Sequence, residues 1–450
     1  MKTYFLSLQV VPNAKSPYSN DIAGALASYW ILADSAEAAL ARSRFMVRKS
    51  EWDVVAIDMA PTVATRNDFR GKDIGLQQYD LAQGRGVASV YAAWSKDGKS
   101  SYGPITMERT DAFDLESYQS EIQQKMRKGR CLHYDAGVRC SRIIDAHSIQ
   151  KNGALSLIAD AGNVYAISRN FTDVKKSRGG VCFTRQGIGM VSTFRGFCER
   201  HDTEVFAPID TRPLQPTTQQ VLLYAYRSLC REVFVKEGAF QSLEQQAQHN
   251  AANTGIHTLL SDMRQGTEIG LKNLRLQKQL YDESLSTETY SDVKYVVFHS
   301  AQMPTIVFSG LIYPHFDFLG RQLQDLGNKS QTLDLITFSF APMSAGWGIV
   351  FAWHVRSGKT CLEFMKSLAT RIAHDRNPGD HLFRLVVSNC ENLAIAPQWW
   401  ESLSQPSRSA VEKAASEMAD VFSPVRSDYI ASGLEGISGW QFDEVVSDME

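Results

Sequence analysis

Four residues with side chains that bind metal ions stand out in the second quarter of the chain. Cys131 and Cys140 come first, and Cys198 and His201 follow in a C-x-x-H arrangement. Thiolate sulfur and imidazole nitrogen are the ligands that zinc prefers, and a structural zinc site needs four of them at the corners of a tetrahedron. The sequence therefore predicts a structural zinc site made by these four residues.

The two halves of this predicted site differ in strength. The second pair is the sharper signal, because it opens a segment with a helical pattern, ERHDTEVFAPID, and follows Gly196, which we expect to form a turn. The first pair is weaker, because eight residues separate its cysteines and His133 competes for the same position. Zinc knuckles usually place two to four residues between paired ligands.

A second set of residues could hydrolyse phosphodiester bonds. The segment SRIIDAHSIQ is predicted to contain a strand on which Asp145 and His147, two residues apart, share one face. Hydrolysis of this kind needs a base that deprotonates water and a divalent ion, usually Mg²⁺ held by oxygen ligands. His147 is the candidate base, and Asp145, Asn163 and Asp202 are candidate oxygen ligands for Mg²⁺ or Mn²⁺.

The order Cys…Cys, His, Asn, Cys-x-x-His-Asp resembles the HNH, or ββα-metal, nucleases, which are built on a treble clef. The resemblance implies that His147 is the general base, that Asn163 orients it and that Asp202 binds the catalytic metal, with Asp145 as a further oxygen ligand. The matching residues span positions 131–202 of the 450. The chain departs from the family pattern at Ala146, where a carboxylate or histidine normally precedes the base.

Two functions of different classes follow from these residues. The first is a metal-dependent HNH-like endonuclease that hydrolyses DNA, and the wording AHSIQ…STF-x-GFC-x-x-HD resembles large bacterial proteins associated with phage defence. The second is a non-catalytic, zinc-stabilised module that binds nucleic acid or a protein, and the departure at Ala146 favours it.

The charge of the chain is unevenly distributed. The net charge is −2, but residues 121–210 hold 14 Lys and Arg against 9 Asp and Glu. A local excess of positive charge favours phosphate contacts, although such runs are often only solvated surface. The candidate phosphate contacts are Lys125, Arg127, Lys128, Arg130, Lys151, Arg169, Lys175, Lys176 and Arg178.

The length and the patterns along the chain predict a multidomain α+β protein. Hydrophobic residues make up 44% and charged residues 21%, as in ordinary globular proteins. We expect a small α+β sensor or oligomerisation domain at 1–110, the zinc-binding module at 111–212, a helical scaffold at 213–288, and an α+β domain with an acidic tail at 289–450. If the first of these domains is an oligomerisation domain, the protein forms a homo-oligomer.

The remaining cysteines and apolar segments point away from secretion and from membranes. Seven cysteines are an odd number, and the N-terminal segment reads as a strand without a cleavage signal, so we expect free or metal-bound thiols in the cytoplasm. No apolar run is long enough to span a bilayer. The segment HDRNPGDHLFRLVVSNC is interpreted as a turn and an apolar strand that ends at Cys390.

Overall fold

A computed structural model describes residues 1–96, 101–102, 124, 127–168, 181–249, 254–326, 328, 330–375, 378–417 and 424–449. The pattern at 111–129, which predicts a linker helix leading into the zinc module, lies mostly outside these residues. So do five of the predicted phosphate contacts, which are Lys125, Arg169, Lys175, Lys176 and Arg178.

The N-terminal segment forms a five-stranded antiparallel sheet in the order β3-β1-β2-β4-β5. Its elements are β1 (Lys2–Pro12), β2 (Ile22–Ala33), α1 (Ala36–Lys49), β3 (Trp52–Val63), α2 (Asp73–Arg85), β4 (Val87–Ser95) and β5 (Ser101–Tyr102). Asp34-Ser35 before an amphipathic run predicts a helix start, and the structure confirms it, since the Ser35 side chain accepts a hydrogen bond from the N–H of Ala38 at 3.2 Å.

The central segment contains a small two-stranded sheet and a helix. Its elements are β6 (Ile143–His147), β7 (Asn163–Ile167), β8 (Phe183–Gly187), β9 (Thr193–Cys198) and α3 (Glu199–Asp210). Strands β6 and β9 pair with each other, and α3 begins directly after β9. Strands β7 and β8 lie between them in the chain but belong to another sheet.

Two long helices follow, α4 (Thr218–His249) and α5 (Thr254–Ser286), and they pack against each other. The first half of α4 is buried almost without interruption, from Gln220 to Val233. Its residues share one hydrophobic core with Cys131, Phe197 and Cys198. The helical middle of the chain therefore supports the metal-binding segment directly.

The C-terminal segment builds most of an eight-stranded antiparallel sheet in the order β15-β10-β13-β12-β11-β14-β7-β8. Its elements are β10 (Val293–Ser300), β11 (Ile306–Ile312), β12 (Ile336–Pro342), β13 (Trp347–His354), α6 (Gly358–Asp375), α7 (Pro378–Asn389), β14 (Leu393–Ile395), α8 (Pro397–Ser402), α9 (Gln405–Ser416) and β15 (Glu444–Ser447). The mixed α+β architecture is thus as predicted. The sheet takes strands from both 111–212 and 289–450, so it crosses the predicted domain boundaries. That these segments fold independently stays a prediction.

The segment predicted as a strand at 381–389 is helical, as α7. The prediction was wrong because eight consecutive residues, His381–Ser388, are buried, so this part of the helix has no exposed face. Pro378, Gly379 and Asp380, which were interpreted as part of a turn, instead form the first turn of this helix, where proline is favoured. Asn377 lies outside the described residues.

No helix in the described part of the chain is long and apolar enough to cross a membrane.

Candidate metal centre

The four predicted metal ligands come together. The ligand atoms of Cys131, Cys140, Cys198 and His201 all lie within 4.8 Å of one another. The Nδ1 atom of His201 is 3.4 Å from the sulfur of Cys131 and 3.6 Å from that of Cys140. In a tetrahedron with Zn–S near 2.3 Å and Zn–N near 2.05 Å, sulfur and nitrogen ligands lie about 3.6 Å apart. The group can therefore bind a metal ion such as zinc.

Backbone pairing holds the first cysteine against β9. The N–H groups of Arg130 and Leu132 donate to the carbonyls of Arg195 and Gly196, at 2.9 and 2.8 Å. The approach is so close that a Cβ on Gly129, which has a φ of +64°, would lie 2.6 Å from the Arg195 carbonyl oxygen. Glycine at this position lets the chain enter the cluster.

Gly196 does not form the predicted turn. It lies inside β9 and is buried, and the ring of Phe194 occupies the space that a side chain would need. The reason for a glycine here is therefore close packing. The helix predicted after it is confirmed, because Cys198 caps α3 and its sulfur accepts a hydrogen bond from the N–H of His201 at 3.5 Å.

The two buried thiols titrate differently. Burial raises the pKa of Cys131 to about 11, and the neighbouring Cys198 and Cys140 raise it further, against hydrogen bonds from the backbone. Burial also opposes ionisation of Cys198, but hydrogen bonds from His201, Ser141 and Cys131 outweigh it and lower its pKa to about 7. Cys198 is therefore the thiol that is most easily deprotonated for metal binding.

His133 lies beside the cluster and outside the group of four. Its ring stacks on that of His201 with the centroids 4.1 Å apart, and its Nδ1 atom accepts a hydrogen bond from the N–H of Asp135 at 3.1 Å. Burial, together with the positive charge of a protonated His201, lowers its pKa to about 4. The neutral ring packs against the cluster, and this leaves Cys131 as the ligand from this segment.

His147 ends β6, the strand that pairs with the strand leading into α3. Its Nε2 atom is 3.2 Å from the carbonyl oxygen of Ile188, which can only accept, so Nε2 carries the proton and Nδ1 holds the lone pair. Within the described residues Nδ1 has no hydrogen-bond partner. Burial lowers the pKa of His147, and Lys151 and Arg227 lower it further, against Asp145 and the bond to Ile188. The ring is therefore neutral at pH 7.

The predicted oxygen ligands do not gather around His147. Asp145 falls at an irregularity in the pairing of β6 with β9, which interrupts the expected alternation of side chains. Its side chain is 70% exposed and lies 3.9 Å from Arg195. Asn163 begins β7 in the large sheet, where its amide donates to the carbonyl of Ala161 at 2.8 Å.

Asp202 occupies the first turn of α3 and is largely buried. Burial raises its pKa, Arg227 lowers it and Asp210 raises it. Its Oδ1 atom is buried without a hydrogen-bond partner among the described residues. The described residues hold no second group of three or more clustered ligands besides the Cys₃His group. Asp145, His147 and Asp202 therefore do not form a ready-made metal site.

Arg227 on α4 is a neighbour that the sequence reasoning missed. Its guanidinium makes two hydrogen bonds to Asp210, at 2.8 and 2.6 Å, and lies 4.0 Å above the ring of Phe206. It is 3% exposed and lowers the pKa values of both His147 and Asp202. The available signal was a lone arginine inside the apolar run VLLYAYRSLC.

Of the predicted phosphate contacts that the structure describes, some are exposed and one is held in an ion pair. Arg130 is held by the carboxylate of Glu237, which also binds Arg275. Arg127, Lys128 and Lys151 are exposed.

Comparison of the chain with protein-family models, with curated proteins and with solved structures found no match.

Proposed function

We propose that the chain is an HNH-like endonuclease that hydrolyses DNA, with His147 as its general base and the Cys₃His cluster as a structural zinc site. The observation that carries the proposal is the position of His147 at the end of β6. This strand pairs with β9, and β9 leads into the helix that bears Cys198 and His201. Strand, strand and helix beside a metal cluster is the arrangement that the sequence resemblance implies. The effector role in phage defence rests on the resemblance alone.

The state of the His147 ring supports a role as base. With the proton on Nε2 and the ring neutral, Nδ1 can accept a proton from water as the water oxygen attacks phosphorus. The P–O bond to the leaving oxygen then breaks, and that oxygen takes a proton from solvent. The bond to Ile188 fixes the ring orientation, a role that the resemblance assigns to Asn163.

Asn163 is linked to His147 through the backbone. It pairs with Gly187 at the end of β8, and the N–H of the next residue, Ile188, donates to the carbonyl of Gly162 at 3.0 Å. Ile188 then accepts from His147. The Asn163 segment therefore positions the carbonyl that orients the base.

The catalytic Mg²⁺ or Mn²⁺ that the resemblance implies does not fit the described side chains. Asp145 faces solvent beside Arg195, and the described residues bring no three His, Cys, Asp or Glu ligands together besides the Cys₃His cluster. We therefore assign no catalytic step to such an ion. This same observation favours the second candidate function, a zinc-stabilised module that binds nucleic acid or protein without cutting it.

A plasmid-nicking assay separates the two functions. We expect the full chain to nick supercoiled DNA with Mg²⁺ or Mn²⁺ present, and His147→Ala to slow nicking by about 10²- to 10⁴-fold, the usual contribution of a general base. His299→Ala is the matched control, since the Nε2 atom of His299 also contacts a main-chain carbonyl, that of Ala345. We expect it to nick at the wild-type rate.

Zinc content and the circular dichroism spectrum of both variants show whether folding is retained. If wild-type protein cuts neither DNA nor RNA with either ion, the nuclease proposal fails. Retarded migration of duplex DNA in the same sample would then support the binding module.

A further inference from the structure

A cavity of about 220 Å³ lies in the C-terminal half of the molecule. It opens between the end of β11, the end of α7 and the residues around α9. The four ligands of the metal cluster, and His147, are not among its lining residues. It is therefore distinct from the site proposed above.

Three side chains that line this cavity have polar atoms without partners. The hydroxyls of Tyr313 and Ser388 and both ring nitrogens of His315 are buried and make no hydrogen bond within the described part of the chain. His315 and Ser388 are each 2% exposed. Folded proteins leave few buried polar atoms unpaired. Several around one cavity point to a bound molecule that completes them.

The chemistry of the lining excludes an anionic ligand. Burial lowers the pKa of His315 to about 4 and raises that of Tyr313, so both side chains are neutral at pH 7. No lysine or arginine is among the described lining residues, and the one charged side chain among them is Glu391. Each of the three unpaired side chains offers both a donor and an acceptor.

The remaining walls of the cavity are largely apolar. Leu311, Leu326 and Val425 are apolar, and Tyr429 adds an aromatic side chain. The His315 ring is braced by stacking on Phe316, with the centroids 4.2 Å apart. At roughly 30 Å³ for each water in the liquid, the cavity has the volume of about seven waters, enough for a ring system.

We propose that this cavity is a binding site for an uncharged nitrogen heterocycle of the nucleobase type. The alternating donors and acceptors on the rim of such a ring match the hydroxyls of Tyr313 and Ser388 and the imidazole of His315. The apolar and aromatic side chains cover its faces. The site does not depend on the nuclease activity proposed above.

Titration of the full chain with adenine, hypoxanthine, cytosine and uracil, followed by saturation-transfer NMR, tests the proposal. We expect saturable binding of at least one base. Tyr313→Phe and Ser388→Ala should each weaken it by about tenfold, through the loss of one hydrogen bond. The matched control is Tyr281→Phe, which also removes a buried, unpartnered hydroxyl but lies outside the cavity lining, and it should bind as wild type does.

Thermal unfolding of each variant identifies any loss of binding that comes from misfolding, and Ser388→Ala is the milder change should Tyr313→Phe unfold. Absence of binding by all four bases would overturn the proposal. So would equal affinity in wild type, Tyr313→Phe and Ser388→Ala. Displacement of the bound base by inorganic phosphate would overturn the assignment to an uncharged ligand.

Discussion

The metal cluster and the surroundings of His147 lie on the same strands and helix but are organised in opposite ways. At the cluster, four ligand atoms converge within 4.8 Å. Around His147 two of the three predicted partners are engaged elsewhere, Asp145 with Arg195 and Asn163 with the carbonyl of Ala161. The third, Asp202, joins no second group of clustered ligands among the described residues. Convergence of ligands thus needs more than a shared supersecondary unit. It needs backbone that brings each donor to the same point.

The largest effect that tests this comparison is expected from Cys198→Ser. Structural zinc contributes about 10–16 kcal/mol to small zinc-finger peptides, and here Cys198 also caps α3. We expect the variant to lose its bound metal and several kcal/mol of stability, measured by elemental analysis and urea unfolding. Cys182→Ser, outside the cluster, should keep its zinc. Full zinc content in Cys198→Ser would show that the metal lies elsewhere.

A smaller effect of opposite sign is expected from Asp202→Asn. Because burial raises the pKa of Asp202, the folded state holds its proton more tightly, and stability is lost as the pH rises from 3.8 through the folded pKa. The cost is fully present once the pH is above the folded pKa. The neutral amide should therefore stabilise the protein there, on the order of 1 kcal/mol in urea unfolding.

The same variant can break the comparison. If Asp202→Asn abolishes Mg²⁺-dependent nicking at unchanged stability, Asp202 is a metal ligand. The surroundings of His147 would then bind a metal ion, as the Cys₃His cluster does. Glu204→Gln, two residues along the same helix and exposed, is the control and should change neither property.

The pH dependence of nicking should show the lowered pKa of His147. The base must be neutral, so activity is lost only as the pH falls below that pKa, and the acid limb should lie below pH 6.5. Lys151 lowers this pKa and Asp145 raises it. Lys151→Met should therefore move the limb towards neutral pH and Asp145→Asn should move it towards acid pH. Shifts in the reverse directions would exclude His147 as the titrating base.

The smallest effect is expected from Arg142→Ala. Arg142 and Glu199 form an ion pair between the first half of the cluster and α3, but both side chains are at least half exposed to solvent. Zinc content and melting temperature should stay at wild-type values. Loss of zinc would mean that the cluster depends on this surface contact rather than on its own ligands.

The cluster could be predicted from the sequence because its sharper half is local. A C-x-x-H pair at a helix start is held together by one helical turn, whatever the rest of the chain does. The capped helix α1 was predictable for the same reason. The position of Asn163 was not, because β7 pairs with β14 and β8 and leaves β6 and β9 to pair with each other. No pattern within 131–202 carries that information.

Two further features, helix α7 and the position of Gly196, were predicted wrongly because their residues are buried. Helix α7 has no exposed face between His381 and Ser388, and its run of apolar residues was therefore taken for a buried strand. Gly196 was taken for a turn, although the Phe194 ring packs over it within a strand. In both cases tertiary packing, rather than local preference, decides the role of the residue.

The insertion of β7 and β8 between β6 and β9 also sets an order of events during synthesis. Ala166 on β7 pairs with Ala394 on β14, which leaves the ribosome about 230 residues later. At 5–20 residues per second, that interval is roughly 10 to 50 seconds. The segment that orients His147 is anchored only when the C-terminal sheet has been made. A nascent chain therefore contains all four ligands of the metal cluster well before the segment that orients His147 is anchored.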